Sequence, residues 1–347
     1  MDNMAKQTVA DLSGFKNFLS RIKMDWFGKS DKVYHPFWVI VHKEIADQVR
    51  SWRFIILIAI IALTCIGSMY TALSSMGNAL KTNDLQGTFF FLKLFTISDG
   101  TLPSFLVFIS FLGPLLGIGL GFDAVNTEHN RGTLSRILSQ PIHRDYLINA
   151  KFVAALIVIS VMFFALSFLV VGFGLITIGI PPTAEEFIRI VLFVLLSVLY
   201  VAFWLNLSIL LSVLFRQPAT SALAGIAIWL FFTVFYPLIV NLIMKGITPS
   251  GMASAHEMFV LTKLKLGLMR ALPNQLFSDA TTTLLVPSVR SLGPLTTQQV
   301  IGAIPGPLPL GQSVLLVWPQ VTGLIATTVL CFVSSYVLFM RKEIRSR

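Results

Sequence analysis

The sequence predicts an all-α integral membrane protein. Six transmembrane helices are expected, with an amphipathic interfacial helix before them, a short cytoplasmic helix between the second and third, and a large outer loop before the last. Three observations predict this. Only 12% of the 347 residues are charged and 55% are hydrophobic, where a soluble domain carries about 25% charged residues. Mean hydropathy is +0.80. Six runs are long enough to cross the hydrocarbon core, which takes about 20 apolar residues.

Those runs are residues 54–74, 103–122, 152–180, 190–215, 219–244 and 317–340, and none contains Asp, Glu, Lys or Arg. A charge at a helix centre would cost about 2.5–3.5 kcal/mol on insertion. Barrel strands are excluded, because they alternate and need only about ten residues. The long third run fits two segments or one tilted helix, and Gly172, Gly174 and Gly179 near its outer end would loosen it before Pro181 and Pro182. Regions of 1–53, 54–244, 245–316 and 317–347 follow: interfacial helices, five spans, an outer loop domain, and the sixth span with its tail.

Charge placement orients the spans. Of 26 Lys and Arg residues, 18 fall on one side: nine in residues 1–53, then Arg131, Arg136, Arg144, Lys151 and Arg216, and Arg341, Lys342, Arg345 and Arg347 in the tail. By the positive-inside rule both termini are expected in the cytoplasm. The net charge of +10 therefore reads as anchoring, not as a nucleic-acid surface. The first 50 residues lack the apolar core of a cleavable signal, so the first span is expected to direct insertion.

Before the first span, Phe15, Phe18, Leu19, Ile22 and Trp26 recur at helical spacing opposite Lys16, Asn17, Ser20 and Lys23. A second stripe of Phe37, Trp38, Val41, Ile45 and Val49 opposes His42, Lys43, Glu44, Asp47 and Arg50. Both suit helices lying in the headgroup region or on the protein's own surface. In the second run, Gly113, Gly117 and Gly121 share one face, a spacing that lets two helices approach closely, within one chain or between two. Asn206 is a lone amide within the fourth run, expected to bond across helices. In the outer loop, Leu261, Leu264, Leu268 and Leu272 make one stripe. Asn274 is placed to cap a helix carrying Phe277, Ala280 and Leu284, stopped by Pro287.

Chemistry-bearing clusters are scarce. His35, His42, His129, His143 and His256 all lie outside the runs without ligand spacing, so no metal site is expected. Cys65 and Cys331 sit in apolar runs and read as core residues. No nucleophile or carboxylate pair is positioned for catalysis, and no catalytic residue is assigned. A phosphate-binding loop is also missing: Gly28-Lys29-Ser30 gives its end, but Lys23 stands where its first glycine belongs. An ion-coupled transporter would normally keep ionisable groups in its spans, and these have none. That alternative and a non-transporting membrane scaffold stay open.

The connection between the second and third runs is the most informative stretch. Leu134, Ile137 and Leu138 form an apolar stripe, Arg131, Ser135 and Arg136 are polar, and Pro141 stops the helix. Such an exposed helix suits docking, with Glu128, Arg131 and Arg136 supplying charge specificity. The pattern Glu128-x-x-x-Gly132-Thr133-Leu134, then Ile137-Leu138-Ser139-x-Pro141-Ile142-x-Arg144 and Lys151, resembles the coupling segment of type 2 ATP-binding-cassette export permeases. The six runs, the N-terminal helix, the loop before the last run and the tail Phe339-Met340-Arg341-Lys342-Glu343-Ile344-Arg345 fit as well. The stretch from Leu272 to Thr281 resembles the subgroup that includes the permease of the nitrous-oxide-reductase maturation system, although the outer loop is longer than in compact members.

The resemblance implies a cytoplasmic coupling helix near residues 126–140 that docks an ABC-type ATPase subunit. It implies a second permease copy or paralogue as dimer partner, and it allows a periplasmic or lipoprotein accessory. This chain would bind no cofactor, since ATP and Mg belong to the ATPase. The coupling residues it implies are Glu128, Arg131, Gly132, Thr133, Leu134, Arg136, Pro141 and Arg144. A bacterial or archaeal cytoplasmic membrane is the implied location.

Overall fold

The computed structural model describes residues 35–81, 89–98, 102–133, 143–179, 181–248, 255–293 and 306–341. The expected amphipathic helix over 15–26 lies outside these residues. Among them there is no strand, and six helices are long and apolar enough to cross a membrane. The spans are α2 (Trp52–Lys81), α4 (Phe105–Gly121), α6 (Arg144–Ile178), α7 (Ala184–Leu214), a fifth made of α8 (Pro218–Leu230), a π-helical turn and α9 (Tyr236–Ile247), and α12 (Leu310–Arg341). Between them lie α1 (Pro36–Val49), α3 (Phe90–Thr96), α5 (Asn126–Asn130), α10 (Ala255–Met269) and α11 (Pro273–Leu285). Six crossings put residues 40–53 and Arg341 at one end, here called the termini end.

The fourth span is the axis of the bundle. In its apolar stretch 72% of the residues are buried, against 17% in the fifth span. Its companion is α4, and the glycine stripe explains the fit. A Cβ on Gly117 would lie 2.8 Å from the Val201 carbonyl oxygen, and one on Gly121 would lie 2.9 Å from that of Leu205. A Cβ on Gly113 would meet Val201 Cγ2 at 3.0 Å. The stripe thus faces a helix of the same chain. Fourth-span side chains also reach α4 directly, as Ser208 Oγ donates to the Ile118 carbonyl at 3.1 Å.

The third span is one unbroken helix of 35 residues, not two. At 1.5 Å per residue it is about 52 Å long, so it tilts or extends beyond a hydrocarbon core of about 30 Å. Gly172 and Gly174 lie within it; the end comes at Gly179, whose φ of 78° lets its N–H return to the Leu175 carbonyl. The π turn of the fifth span covers Phe231–Phe235. It precedes Pro237, which has no N–H for the Thr233 carbonyl and whose ring would clash with a regular turn.

Part of the outer-loop sequence is built into the bundle. Helix α11 packs on α7 and α12, and Phe277 is fully buried, stacked on Tyr200 at 4.3 Å and 8°. Tyr200 sits at the midpoint of the fourth span, so α11 inserts to about half its depth. Asn274 does not cap this helix. Pro273, with its fixed φ, takes the first turn and Leu272 becomes the N-cap. The Asn274 amide instead accepts from Tyr200 Oη at 2.8 Å and donates to Thr233 Oγ1 at 2.9 Å.

Asn206 departs from expectation. It is 1% exposed, and neither amide atom has a hydrogen-bond partner among the described residues.

Candidate functional site

The segment leaving α4 at the termini end is held from five directions. After Phe122 the chain turns instead of continuing as helix. The buried N–H groups of Val125 and Asn126 both donate to Ser212 Oγ of the fourth span, at 2.9 and 3.2 Å. Asn130 Nδ2 donates to the Arg216 carbonyl at 3.0 Å, at the turn into the fifth span. Asp123 pairs with Arg53 at the start of the first span, and that guanidinium lies 4.9 Å above the Phe122 ring.

The fourth and fifth attachments meet at Glu128. Its Oε1 lies 3.5 Å from Lys151 Nζ of the third span and 3.9 Å from Lys43 Nζ of α1. Its Oε2 accepts from Thr133 Oγ1, which also donates to the Glu128 carbonyl at 3.2 Å. Lys151 Nζ donates to Glu44 Oε2 at 2.9 Å, and both side chains of that pair are under 10% exposed. Lys43 bridges Glu44 at 3.3 Å and Asp47 at 3.4 Å. Burial works against the Lys43 charge, but Glu44, Glu128 and Asp47 outweigh it and hold the ammonium above its ordinary range. A buried pair adds little net stability, yet removing one partner costs about 3–5 kcal/mol.

This geometry divides the residues picked from sequence. Arg131 and Gly132 are exposed with His129 and Asn130. Glu128 is not part of that exposed face: its side chain is 17% exposed and turned onto two ammonium groups. Glu44, placed on the polar face of its helix by the sequence, is buried because Lys151 needs a counter-charge. The helix α5 ends at Asn130, and Gly132 follows with φ of 68°. Thus the helix expected near 126–140 is interrupted at Gly132. Leu134, Arg136 and Pro141 lie outside the described residues, and Arg144 opens α6.

At the far end, Arg189 carries a second hub that sequence reasoning missed. The side chain is fully buried. All five N–H donors are used: on Glu185 Oε1 at 2.8 and 3.1 Å, on the Leu284 and Leu308 carbonyls at 2.9 and 2.7 Å, and on Ser313 Oγ at 3.2 Å. It joins the fourth span to the end of α11 and the start of α12. One turn earlier, Glu186 closes a capping box with Thr183 and accepts the Phe91 N–H of α3 at 2.9 Å. The signal available in sequence was the Thr183-x-x-Glu186 box; nothing there separates Arg189 from an exposed i,i+4 partner of Glu185.

An apolar bundle of six candidate spans, with a polar hub at each end, defines a multi-pass membrane protein. The family model described as "ABC-2 family transporter protein" matches residues 38–344, and the chain belongs to that family of ABC transporter permeases. The family's members are membrane subunits and not themselves the catalytic ATPase, so an ATPase partner and a membrane setting come with it. Two curated relatives are each named "Probable ABC transporter permease protein NosY". The one from Pseudomonas aeruginosa is 24% identical over 207 residues, covering 58% of this chain and 68% of the relative. The one from Stutzerimonas stutzeri is 22% identical over 208 residues, with the same 58% and 68% coverage.

Proposed function

We propose that this chain is the permease of an exporter, moving substrate out across a bacterial or archaeal cytoplasmic membrane with energy from ATP hydrolysed by a separate ATPase docked on the segment from Asn126 to Arg144. The carrying observation is that residues 123–133, which lead into and begin this segment, are tied to α1, to the first, third and fourth spans and to the turn that enters the fifth. A force applied to exposed Arg131 is passed to most of the bundle at once. Both termini are cytoplasmic in this reading, supported by 18 of 26 basic residues lying on that side. A second permease copy completes the pathway, and the sparsely buried fifth span leaves an apolar face for it and for lipid. Accessory proteins would meet the opposite face.

The test uses the tagged permease co-expressed with its ATPase and reconstituted in liposomes. Arg131→Glu is expected to reduce ATPase retention and permease-dependent ATP hydrolysis while leaving membrane insertion intact. Full retention and hydrolysis in that variant would remove the docking assignment. Hydrolysis that moves no cargo in the unaltered complex would favour a scaffold.

A further inference from the structure

We propose that Glu44 is a positioning residue for energy coupling: through Lys151 it locks α1, the 122–133 segment and the base of the third span into one moving body. The proposal rests on the reading of that segment as the ATPase contact. Lys151 Nζ stands between two carboxylates from different elements, Glu44 at 2.9 Å and Glu128 at 3.5 Å. Lys43, from α1, faces the same two carboxylates at 3.3 and 3.9 Å. A shift of any one element breaks at least one of these contacts, and the Glu44–Lys151 pair, with both side chains under 10% exposed, is the one that water is least able to replace, so displacement of α1 or the third span tends to carry the other. Only Arg50 and Ser51 separate α1 from the first span. Motion entering at Arg131 and Gly132 therefore passes through Thr133 and Glu128 to Lys151 in the third span. From there it passes through Glu44 to the first.

The full-length permease with its ATPase in nanodiscs tests this, with Cys65→Ala and Cys331→Ala to clear native thiols. Spin labels on Arg50→Cys and Asp145→Cys report the distance between the end of α1 and the third span, nucleotide-free and with ATP and vanadate. In the otherwise unaltered protein that distance should hold within the about 1–2 Å that packed helices slide. In Glu44→Gln it should become nucleotide-dependent, and permease-stimulated hydrolysis should fall severalfold with the ATPase still bound. Glu44→Asp, which keeps the carboxylate, should retain both the fixed distance and the hydrolysis. A nucleotide-dependent distance in the unaltered protein overturns the proposal, and decides it even where Glu44→Gln fails to accumulate. So does Glu44→Gln behaving as the unaltered protein. Failure of the unaltered permease to retain the ATPase would instead defeat the docking reading beneath it.

Discussion

The hydroxyl of Tyr200 lies 3.0 Å from the carbonyl of Ser110, the carbonyl left without its intrahelical N–H by Pro114 four residues on. A proline in the second span thus creates a need that a tyrosine in the fourth supplies. The same hydroxyl is 2.8 Å from Asn274 Oδ1, so one hydrogen serves acceptors on α4 and α11. Tyr200→Phe keeps the stack on Phe277 and removes the donor, at an expected cost of about 0.6–2 kcal/mol in thermal unfolding of the detergent-solubilised protein. Pro114→Ala returns an N–H to Ser110, and in that background Tyr200→Phe should cost less. An equal cost in both would show that the Ser110 contact contributes nothing.

The glycine stripe gives a sharper contrast. A methyl group on Gly117 would press on backbone atoms of Val201 and Leu205, which cannot swing aside. Gly117→Ala must separate α4 from α7, with overpacking expected to cost about 1–3 kcal/mol. At Gly172 a Cβ meets nothing within 4 Å, and Gly172→Ala should be neutral or stabilise by about 0.5–1 kcal/mol. Unfolding midpoints of the two variants measure the difference; similar midpoints would mean that the helices separate freely.

Sequence revealed the spans because lipid demands long uncharged runs, a demand visible residue by residue. It revealed the glycine face, but not that Val201 and Leu205 fill it, because a small-residue stripe looks the same whichever helix covers it. The insertion of α11 was hidden. Phe277, Ala280 and Leu284 describe an amphipathic helix, and nothing in that spacing states whether its apolar side rests on a surface or at mid-span. Glu44 misled and Arg189 went unread for a related reason. Each has a polar pattern typical of an exposed face, and the partner that buries it is about 100 residues away in sequence. At the candidate site, Glu128 could be singled out in the sequence, while its inward direction depends on Lys151 and Lys43.

Arg189 offers a test at the far end. Arg189→Met keeps much of the bulk and abandons Glu185 and the carbonyls of Leu284 and Leu308. Arg189→Lys keeps the charge but offers three donors from one nitrogen, too few and too close together for contacts spread over three elements. Both should loosen α11 and the start of α12, with Arg189→Met losing about 3 kcal/mol, the lower end for a broken buried pair because Glu185 remains partly in water. Limited proteolysis between residues 285 and 310 should accelerate in both variants. Unchanged cleavage would mean that apolar packing alone seats this loop.

Gly132 separates two accounts of the segment proposed to dock the ATPase. A Cβ there would meet no atom of the described residues within 4 Å, so among them bulk is not the obstacle. The obstacle is the backbone, since φ of 68° costs most L-residues about 1–2 kcal/mol and a β-branched one more. Asn adopts this conformation more readily than Ala despite its larger size. Permease-stimulated ATP hydrolysis should therefore survive best in Gly132→Asn, be intermediate in Gly132→Ala and be lowest in Gly132→Val. An order following side-chain volume instead, with Ala above Asn, would mean that the space beside Gly132 closes when the ATPase docks, and that contact rather than chain geometry selects glycine.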